Sequence, residues 1–367
     1  MQKVTRQDVL YLKRAIQIAK RGIGKVSPNP IVGAVLVKNR KIIGEGAHLR
    51  FGGPHAEVNT ILNAKKKDLA GATLYVSLEP CAHQGKTPPC TALILKKNIR
   101  RVVIGARDPN PVVSGRGVRI LRQRGVKVLT GVLEKEASEL NKGYNRWIRT
   151  KKPYVIVKVA QSLDGKIATR TGQSRWISGE AARQFGHELR AASGAILIGV
   201  NTVLRDNPRL DVRHVAIAAQ PVKVVLDSAL RIRPTSRLFS PRSTAPVILA
   251  VTQKAPKSKF RVFKGKAEIW VMREKNGRVD LKQVLERLGR RGICQVLIEG
   301  GGEVIGDAFS NRIVNEVYFL IAPLVIGGRQ AVGSVGGSGI RKLSDAYRFK
   351  KIEAQKIGDD ILIHGEF

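Results

Sequence analysis

The sequence predicts two consecutive α/β domains. A length of 367 residues is more than one hydrophobic core usually organises. Short β-rich runs alternate with helical ones along the whole chain. A charged stretch, Arg149 to Lys152, ends at Pro153 and interrupts that alternation. The domains are therefore placed at 1–148 and 149–367.

The first segment, Thr5 to Arg21, is basic and amphipathic. Val9, Leu10, Leu12, Ile16 and Ala19 recur at helical spacing behind a Thr5 cap, and Asp8 with the lack of serine argues against a targeting peptide. From Ile31 the runs IVGAVLV, HAEVNTIL, TLYVSL, CTALILKK, RRVVIGA, GVRILRQRG and VKVLTGV read as alternating strands and helices, and Glu134 to Trp147 as a helix. The second series runs through PYVIVKVA, a helix from Glu180 to Ala191, AILIGV, PVKVVLD, PVILAV, AEIWVM, a helix from Leu281 to Leu288, CQVLIEGGG, NEVYFLIA and ILIHGEF. The glycine-rich segment Ile326 to Ile340 reads as a mobile loop.

Apolar residues make up 43% and charged residues 26%, as in ordinary globular proteins. No apolar run approaches the roughly eighteen residues that span a bilayer, so a soluble, cytoplasmic protein is expected. The net charge of +38 would attract polyanions and phosphorylated ligands. The basic residues are spread along the chain without a basic tail or an aromatic stacking surface, which favours a solvated cationic surface over nucleic-acid recognition. Three cysteines exclude a disulfide framework and leave metal binding, catalysis or burial. Cys294, inside an apolar run, reads as a small buried residue.

Cys81 and Cys90 point to metal. The motif Pro54-His55-Ala56-Glu57 opens a helix, Glu79-Pro80-Cys81 follows a strand, and Pro88-Pro89-Cys90 opens the next helix. One His and two Cys can hold Zn²⁺ and leave the fourth tetrahedral position for water, whose pKa the metal would bring from about 15.7 towards neutrality. Glu57, two residues beyond the ligand His55, is placed to shuttle protons. A His-x-Glu tripeptide alone would more often be a solvated helix start; two Pro-Cys pairs on consecutive elements reverse that balance. A closed structural site would need a fourth ligand, for which His83 is the candidate. Eight residues separate Cys81 from Cys90, wider than the Pro-Cys-x-x-Cys of deaminases acting on nucleic acids.

At the strings SPNPIVGAV (27–35), HAEV (55–58), EPCAHQGKTPPC (79–90) and ARDPNPVVSGRG (106–117), the chain resembles the deaminase domain of the bifunctional riboflavin-biosynthesis deaminase/reductase family. The resemblance implies that Asn29, His48, His83, Lys86 and Asn110 line a pocket for a pyrimidine carrying a ribose phosphate. For Asn29 and Asn110, a turn role beside proline is the plain alternative.

The second half lacks Gly-x-Gly-x-x-Gly, so a standard Rossmann domain is not indicated. Strand CQVLIE runs instead into Gly300-Gly301-Gly302 and the helical run EVIGDAF, whose N-terminus could cradle a phosphate or pyrophosphate. The strings VKVAQSLDGKIAT (157–169), SRWISGEAAR (174–183), HELRA (187–191), GVNTVLRDNPRLDVR (199–213) and IEGGG (298–302) resemble the reductase domain of the same family. The two resemblances together cover nearly the whole chain. They imply an N-terminal cytidine-deaminase-like α/β/α domain and a C-terminal dihydrofolate-reductase-like α/β domain.

By the same resemblance, Ala160, Trp176, Thr202, Asp206, Ser228 and Gly301 would contact NADPH. Ser174, Arg190, Leu210, Arg213 and Glu299 would contact the ribosyl phosphate, the arginines through guanidinium forks, and Lys158 would polarise the sugar near C1′. For each arginine a surface ion pair is the plain alternative. Asp206-Asn207-Pro208 and Asp211 stand where relatives often show other small polar residues. The reactions implied are zinc-dependent deamination of 2,5-diamino-6-ribosylamino-4(3H)-pyrimidinone 5′-phosphate and NADPH-dependent reduction of its ribosyl group. The expected partners are small phosphorylated pyrimidines and further copies of the chain, with no specific nucleic acid and no membrane.

Overall fold

A computed structural model describes residues 3–64, 68–83, 88–213, 215–241 and 243–367. Its contacts divide the chain into two compact units, Met1–Lys151 and Lys152–Phe367. Among the described residues no helix is long and apolar enough to cross a membrane.

The first unit begins with α1 (Arg6–Ala19). Thr5 Oγ1 accepts the Asp8 N–H and the Asp8 carboxylate accepts the Thr5 N–H, a reciprocal cap that satisfies donors the helix itself cannot. Tyr11, Leu12, Ala15, Ile18 and Ala19 form its buried face, and Leu10 is 62% exposed. The apolar stripe is thus turned from the one that a count of Val9 and Leu10 suggests, because Tyr11 and the alanines take the inner positions.

Five strands follow: β1 (Gly33–Lys38), β2 (Lys41–Ala47), β3 (Thr73–Leu78), β4 (Arg101–Ala106) and β5 (Lys127–Thr130). Between and after them lie α2 (Ala56–Asn63), α3 (Cys90–Lys96), α4 (Arg116–Gln123), α5 (Glu134–Glu139) and α6 (Lys142–Thr150). The sheet order is β2-β1-β3-β4-β5, with β1 antiparallel to both neighbours and β3, β4 and β5 parallel. Alternation along β1 explains the three layers: Val35 and Val37 pack with α1, while Ala34 and Leu36 share a cluster with Ile61 and Ile94 on the opposite face.

Strand β2 has no strong sequence signature because it carries Gly44 and Gly46. A Cβ at either would lie 2.4 Å from the Thr60 backbone, so the glycines let α2 settle on the sheet. The single helix expected from Glu134 to Trp147 is two. Asn141 lies between them and uses its side-chain amide as a mock strand, accepting the Ile31 N–H at 2.7 Å and donating to the Ile31 carbonyl at 2.9 Å.

The second unit is built on β6 (Tyr154–Ser162), β7 (Lys166–Ala168), α7 (Glu180–Ala192), β8 (Ala195–Gly199), α8 (Val200–Asp206), β9 (Val222–Leu226), β10 (Val247–Val251) and β11 (Glu268–Val271). The short pair β12 (Glu274–Lys275) and β13 (Arg278–Val279) precedes α9 (Leu281–Arg290), β14 (Gln295–Ile298), α10 (Gly302–Ser310), β15 (Glu316–Ala322), β16 (Val332–Gly333), β17 (Lys351–Ile357) and β18 (Asp360–Glu366). The main sheet runs β11-β10-β9-β8-β14-β6-β15-β18-β17. It is parallel from β11 through β15, and β18 runs antiparallel to both β15 and β17.

Helices cover both faces, so the central strands are apolar on both sides. Ala195 and Leu197 face Leu281, Val284 and Leu288 of α9, while Ile196 and Ile198 face Val203 of α8. Strand β17 is polar and mostly exposed, which hides it from hydrophobic patterning. Cys294 is buried. The glycine-rich segment is docked along part of its length: β16 pairs with β7, and the Gly336 N–H donates to the Gly302 carbonyl at 2.8 Å. A Cβ on Gly306 would fall 2.1 Å from the Gly336 carbonyl oxygen, so these glycines serve close approach to α10.

Candidate active sites

In the first unit, two helix starts and one strand end converge. His55 is the N-cap residue of α2, Cys81 follows β3 and Cys90 opens α3. His55 Nδ1 lies 3.3 Å from Cys90 Sγ and 3.5 Å from Cys81 Sγ, and the three donor atoms lie within 4.8 Å of one another. Tetrahedral zinc, with Zn–N near 2.0–2.1 Å and Zn–S near 2.3 Å, would space such atoms about 3.5–3.8 Å apart. The donor set and its spacing therefore fit zinc. The Cys90 N–H also donates to Cys81 Sγ at 3.3 Å, which stabilises a thiolate there. His83 is exposed at the pocket wall and is not in the ligand cluster.

Glu57 lies in the first turn of α2 and is 3% exposed. Burial, reinforced by the negative charge of Cys81, raises its carboxyl to about 7. The surrounding pocket holds about 300 Å³ and is lined by Asn29, His48, His83 and Asn110 among others. His48 Nδ1 is 2.9 Å from the Pro54 carbonyl, which can only accept, so Nδ1 carries the proton and Nε2 accepts from Asn29 Nδ2 at 3.1 Å. Burial lowers the His48 pKa, favouring this neutral form. Asn110 is both a wall residue and a turn residue, since its Oδ1 accepts the Val112 N–H. Lys86 lies outside the described residues.

Two residues that motif reading passed over support this pocket. Glu79 accepts the Gly115 and Val118 N–H groups at 3.0 and 3.2 Å, which ties the Pro80-Cys81 turn to the start of α4. Asp108 accepts the Tyr144 hydroxyl and the Asn110 N–H, which fixes the Asn110 turn. Both are acids beside proline-containing turns, a signal easily lost among surface carboxylates.

In the second unit a cavity of about 1680 Å³ opens at the C-terminal ends of β8, β9 and β14 and beside β6, where open parallel sheets bind ligands. It is lined by Ala160, Trp176, Thr202, Asp206, Ser228 and Gly301, and by Lys158, Ser174, Arg190, Arg213 and Glu299. Leu210 is not in this wall; its side chain is 5% exposed and packs with Val203 and Val225. Gly300 and Gly301 have φ of +115° and +79°, a backbone open to glycine, and they bring the N-terminus of α10 to the cavity. A cavity of this size with a helix N-terminus in its wall fits a dinucleotide.

Two opposite charges of this cavity partner each other. Arg190 Nε donates to Glu299 Oε1 at 2.9 Å and Nη2 to Oε2 at 2.5 Å, so the fork expected to meet phosphate holds a carboxylate. Burial alone would raise the Glu299 pKa, but the Arg190 and Lys158 charges keep it below its ordinary value. Burial lowers Lys158, against the pull of Glu299. Ser174 Oγ donates to Asp206 Oδ1 at 3.2 Å. Trp176 is 71% exposed, with the Arg183 guanidinium 4.8 Å from its ring centre. Arg213 reaches the cavity wall from an exposed position. Arg231, another wall residue without a sequence signal, donates to Asn201 Oδ1 at 2.7 Å.

Residues 153–363 match the RibD C-terminal domain family, and residues 5–106 match the cytidine and deoxycytidylate deaminase zinc-binding region. The riboflavin biosynthesis protein RibD of Actinobacillus pleuropneumoniae is 44% identical over 361 residues, 98% of this chain and 95% of that protein. Its counterpart in Escherichia coli is 38% identical over 370 residues, 98% and 99% of the two chains. Among solved structures, Acinetobacter baumannii RibD matches with a TM-score of 0.87 at 36% identity, covering 98% of this chain and 99% of that one. A diaminohydroxyphosphoribosylaminopyrimidine deaminase/5-amino-6-(5-phosphoribosylamino)uracil reductase from Thermotoga maritima matches with a TM-score of 0.86 at 38% identity, covering 98% of each.

Proposed function

The chain belongs to the RibD family of bifunctional riboflavin-biosynthesis deaminase/reductases, and from that premise we propose how its two sites divide the work. The enzyme deaminates 2,5-diamino-6-ribosylamino-4(3H)-pyrimidinone 5′-phosphate to 5-amino-6-(5-phosphoribosylamino)uracil. It then reduces the ribosyl group to the ribityl product with NADPH. Deamination belongs to the Glu57 pocket and reduction to the Glu299 cavity.

In the first site His55, Cys81 and Cys90 hold zinc, which when bound supplies the Lewis acidity that makes water nucleophilic near neutral pH. Glu57 takes the proton of the attacking water and returns it to the ring nitrogen and the departing amine. Asn29 and His48, locked to each other, present fixed polar groups to the ring edge, with Asn110 and His83 beside them. Lys86 is placed with the ribose phosphate on the strength of the family resemblance alone.

In the second site Ala160, Trp176, Thr202, Asp206, Ser228 and Gly301 receive NADPH, which supplies the hydride. Arg213 takes the sugar phosphate. Ser174 and the Arg190–Glu299 pair position the ribose, and Leu210 contributes through its backbone. Lys158 polarises the sugar at C1′.

The observation that carries the reading is the convergence of one imidazole and two thiol groups at zinc spacing next to a buried carboxyl. Supplying the diaminopyrimidine phosphate with NADPH tests it: ammonia release followed by NADPH oxidation is expected, in equal amounts. Release of ammonia with no NADPH oxidation would remove the second half of the reading. Thiol ligands and a nicotinamide cofactor suit a reducing compartment, and we place the enzyme in the cytoplasm as a homo-oligomer without a specific nucleic-acid partner. Sedimentation of the purified protein as a monomer would contradict the oligomer.

A further inference from the structure

The stretch from Leu210 to Arg213 has no regular secondary structure, yet it is fastened at every residue. Leu210 is buried in the core beneath it. The Val212 N–H and carbonyl are both taken by the Gln220 side-chain amide, at 2.8 and 3.0 Å. The Arg213 N–H donates to His187 Nδ1 at 3.2 Å.

Asp211 carries the largest share of this fastening. Its Oδ1 accepts from Lys223 Nζ and from Ser243 Oγ, each at 2.7 Å, and its Oδ2 accepts from Arg209 Nε at 2.9 Å. Its backbone carbonyl accepts from Arg190 Nη1 at 3.3 Å, the part of that guanidinium not spent on Glu299. Lys223 stands on β9 with 0% exposure. Burying an ammonium group is costly, and an apolar pair of similar volume often holds a fold equally well. Stability alone therefore gives little reason for the pair. Its location does, because it sits directly beneath the backbone that carries Arg213 into the cavity.

We propose that Lys223 and Asp211, together with Gln220, are positioning residues of the reductase, holding the 211–213 backbone so that Arg213 meets the sugar phosphate in one orientation. The inference rests on the reading that Arg213 binds that phosphate.

The test replaces both charges at once. In the double variant Lys223→Met/Asp211→Leu, the thermal midpoint and the NADPH dissociation constant, read by fluorescence titration, should stay near those of the parent. KM for 5-amino-6-(5-phosphoribosylamino)uracil should rise by about ten- to a hundredfold with kcat much less affected, since a small misplacement of a binding group is enough for such a loss. Gln220→Ala should move KM in the same direction by a smaller factor. Arg213→Ala is measured alongside. If Arg213→Ala raises KM and the double variant does not, the inference falls and the phosphate reading stands. If Arg213→Ala leaves KM unchanged, both fall. Should the double variant not fold, Gln220→Ala decides: a raised KM supports the inference and an unchanged KM overturns it.

Discussion

The pocket around Glu57 gathers its three candidate metal ligands between residues 55 and 90, whereas the cavity around Glu299 gathers residues from Lys158 to Asp359. The volumes differ accordingly, about 300 Å³ against about 1680 Å³. A site whose chemistry comes from a metal ion has to be dense, since ligand bonds are about 2 Å long. A site that takes a dinucleotide and a sugar phosphate together has to be wide, and the ends of several parallel strands supply that width. On the proposed reading the dense site concentrates its function in four side chains, and the wide one spreads it over many.

Substitutions should follow this difference. Glu57→Gln should lower deamination by about 10²–10⁴-fold or more while zinc stays bound, as expected when a general acid/base is removed. Reduction of the already deaminated substrate should continue at the normal rate. Loss of both activities in a well-folded, zinc-replete variant would break the comparison. Cys90→Ser should lose the metal and with it deamination, and Cys294→Ser should keep both; metal analysis of the two proteins distinguishes them.

Each unit also buries a carboxylate against an arginine, and the two pairs differ in purpose. Asp8 of α1 pairs with Arg101 of β4 at 2.6 Å, and neither residue lines the pocket around Glu57. Burial works to raise the Asp8 pKa, but hydrogen bonds from Arg101 and Thr5 outweigh it and hold the carboxyl at about 2. A depressed carboxyl pKa contributes stability that is fully present above the unfolded value, near 3.9, and is lost as pH falls through about 2. Asp8→Asn should therefore cost about 3 kcal/mol at neutral pH, a gap that closes between pH 4 and pH 2 in denaturation measurements. Equal destabilisation at both ends of that range would show that the pair is not what Asp8 contributes.

Arg213→Ala should weaken substrate binding by about 1.5–3 kcal/mol, the loss of one charge-assisted phosphate contact, with deamination unchanged. The smallest effect concerns the net charge of +38. Nucleic acid should co-purify with the protein and leave readily with salt, as diffuse lysines and arginines bind by counterion release without reading bases. A sequence-selective complex that persists at physiological salt would contradict this.

The candidate metal-site residues are legible because each directly follows a proline at a strand end or a helix start. What escaped the sequence depended on pairing at a distance. Asp8 looked like an acid on a basic helix, and only the fold brings Arg101 to it. Asn141 looked like mid-helix until its amide met Ile31. Glycines hide contacts in the same way: those after Ile326 read as a mobile loop, yet Gly336 lies against the Gly302 backbone, and Gly44 and Gly46 of β2 lie against Thr60. The family resemblance groups Leu210 with the substrate residues, but its own side chain packs in the core. Arg190 was expected to offer a free fork, and Glu299, far along the chain, occupies it.

Removing the metal tests most directly the claim that one chain houses two separate chemistries. Protein treated with a chelator until zinc is absent should release no ammonia from the diaminopyrimidine phosphate, yet should oxidise NADPH with 5-amino-6-(5-phosphoribosylamino)uracil at the rate of the untreated enzyme. Reduction that disappears together with the zinc, in protein that remains folded, would contradict the assignment of the two reactions to the two sites.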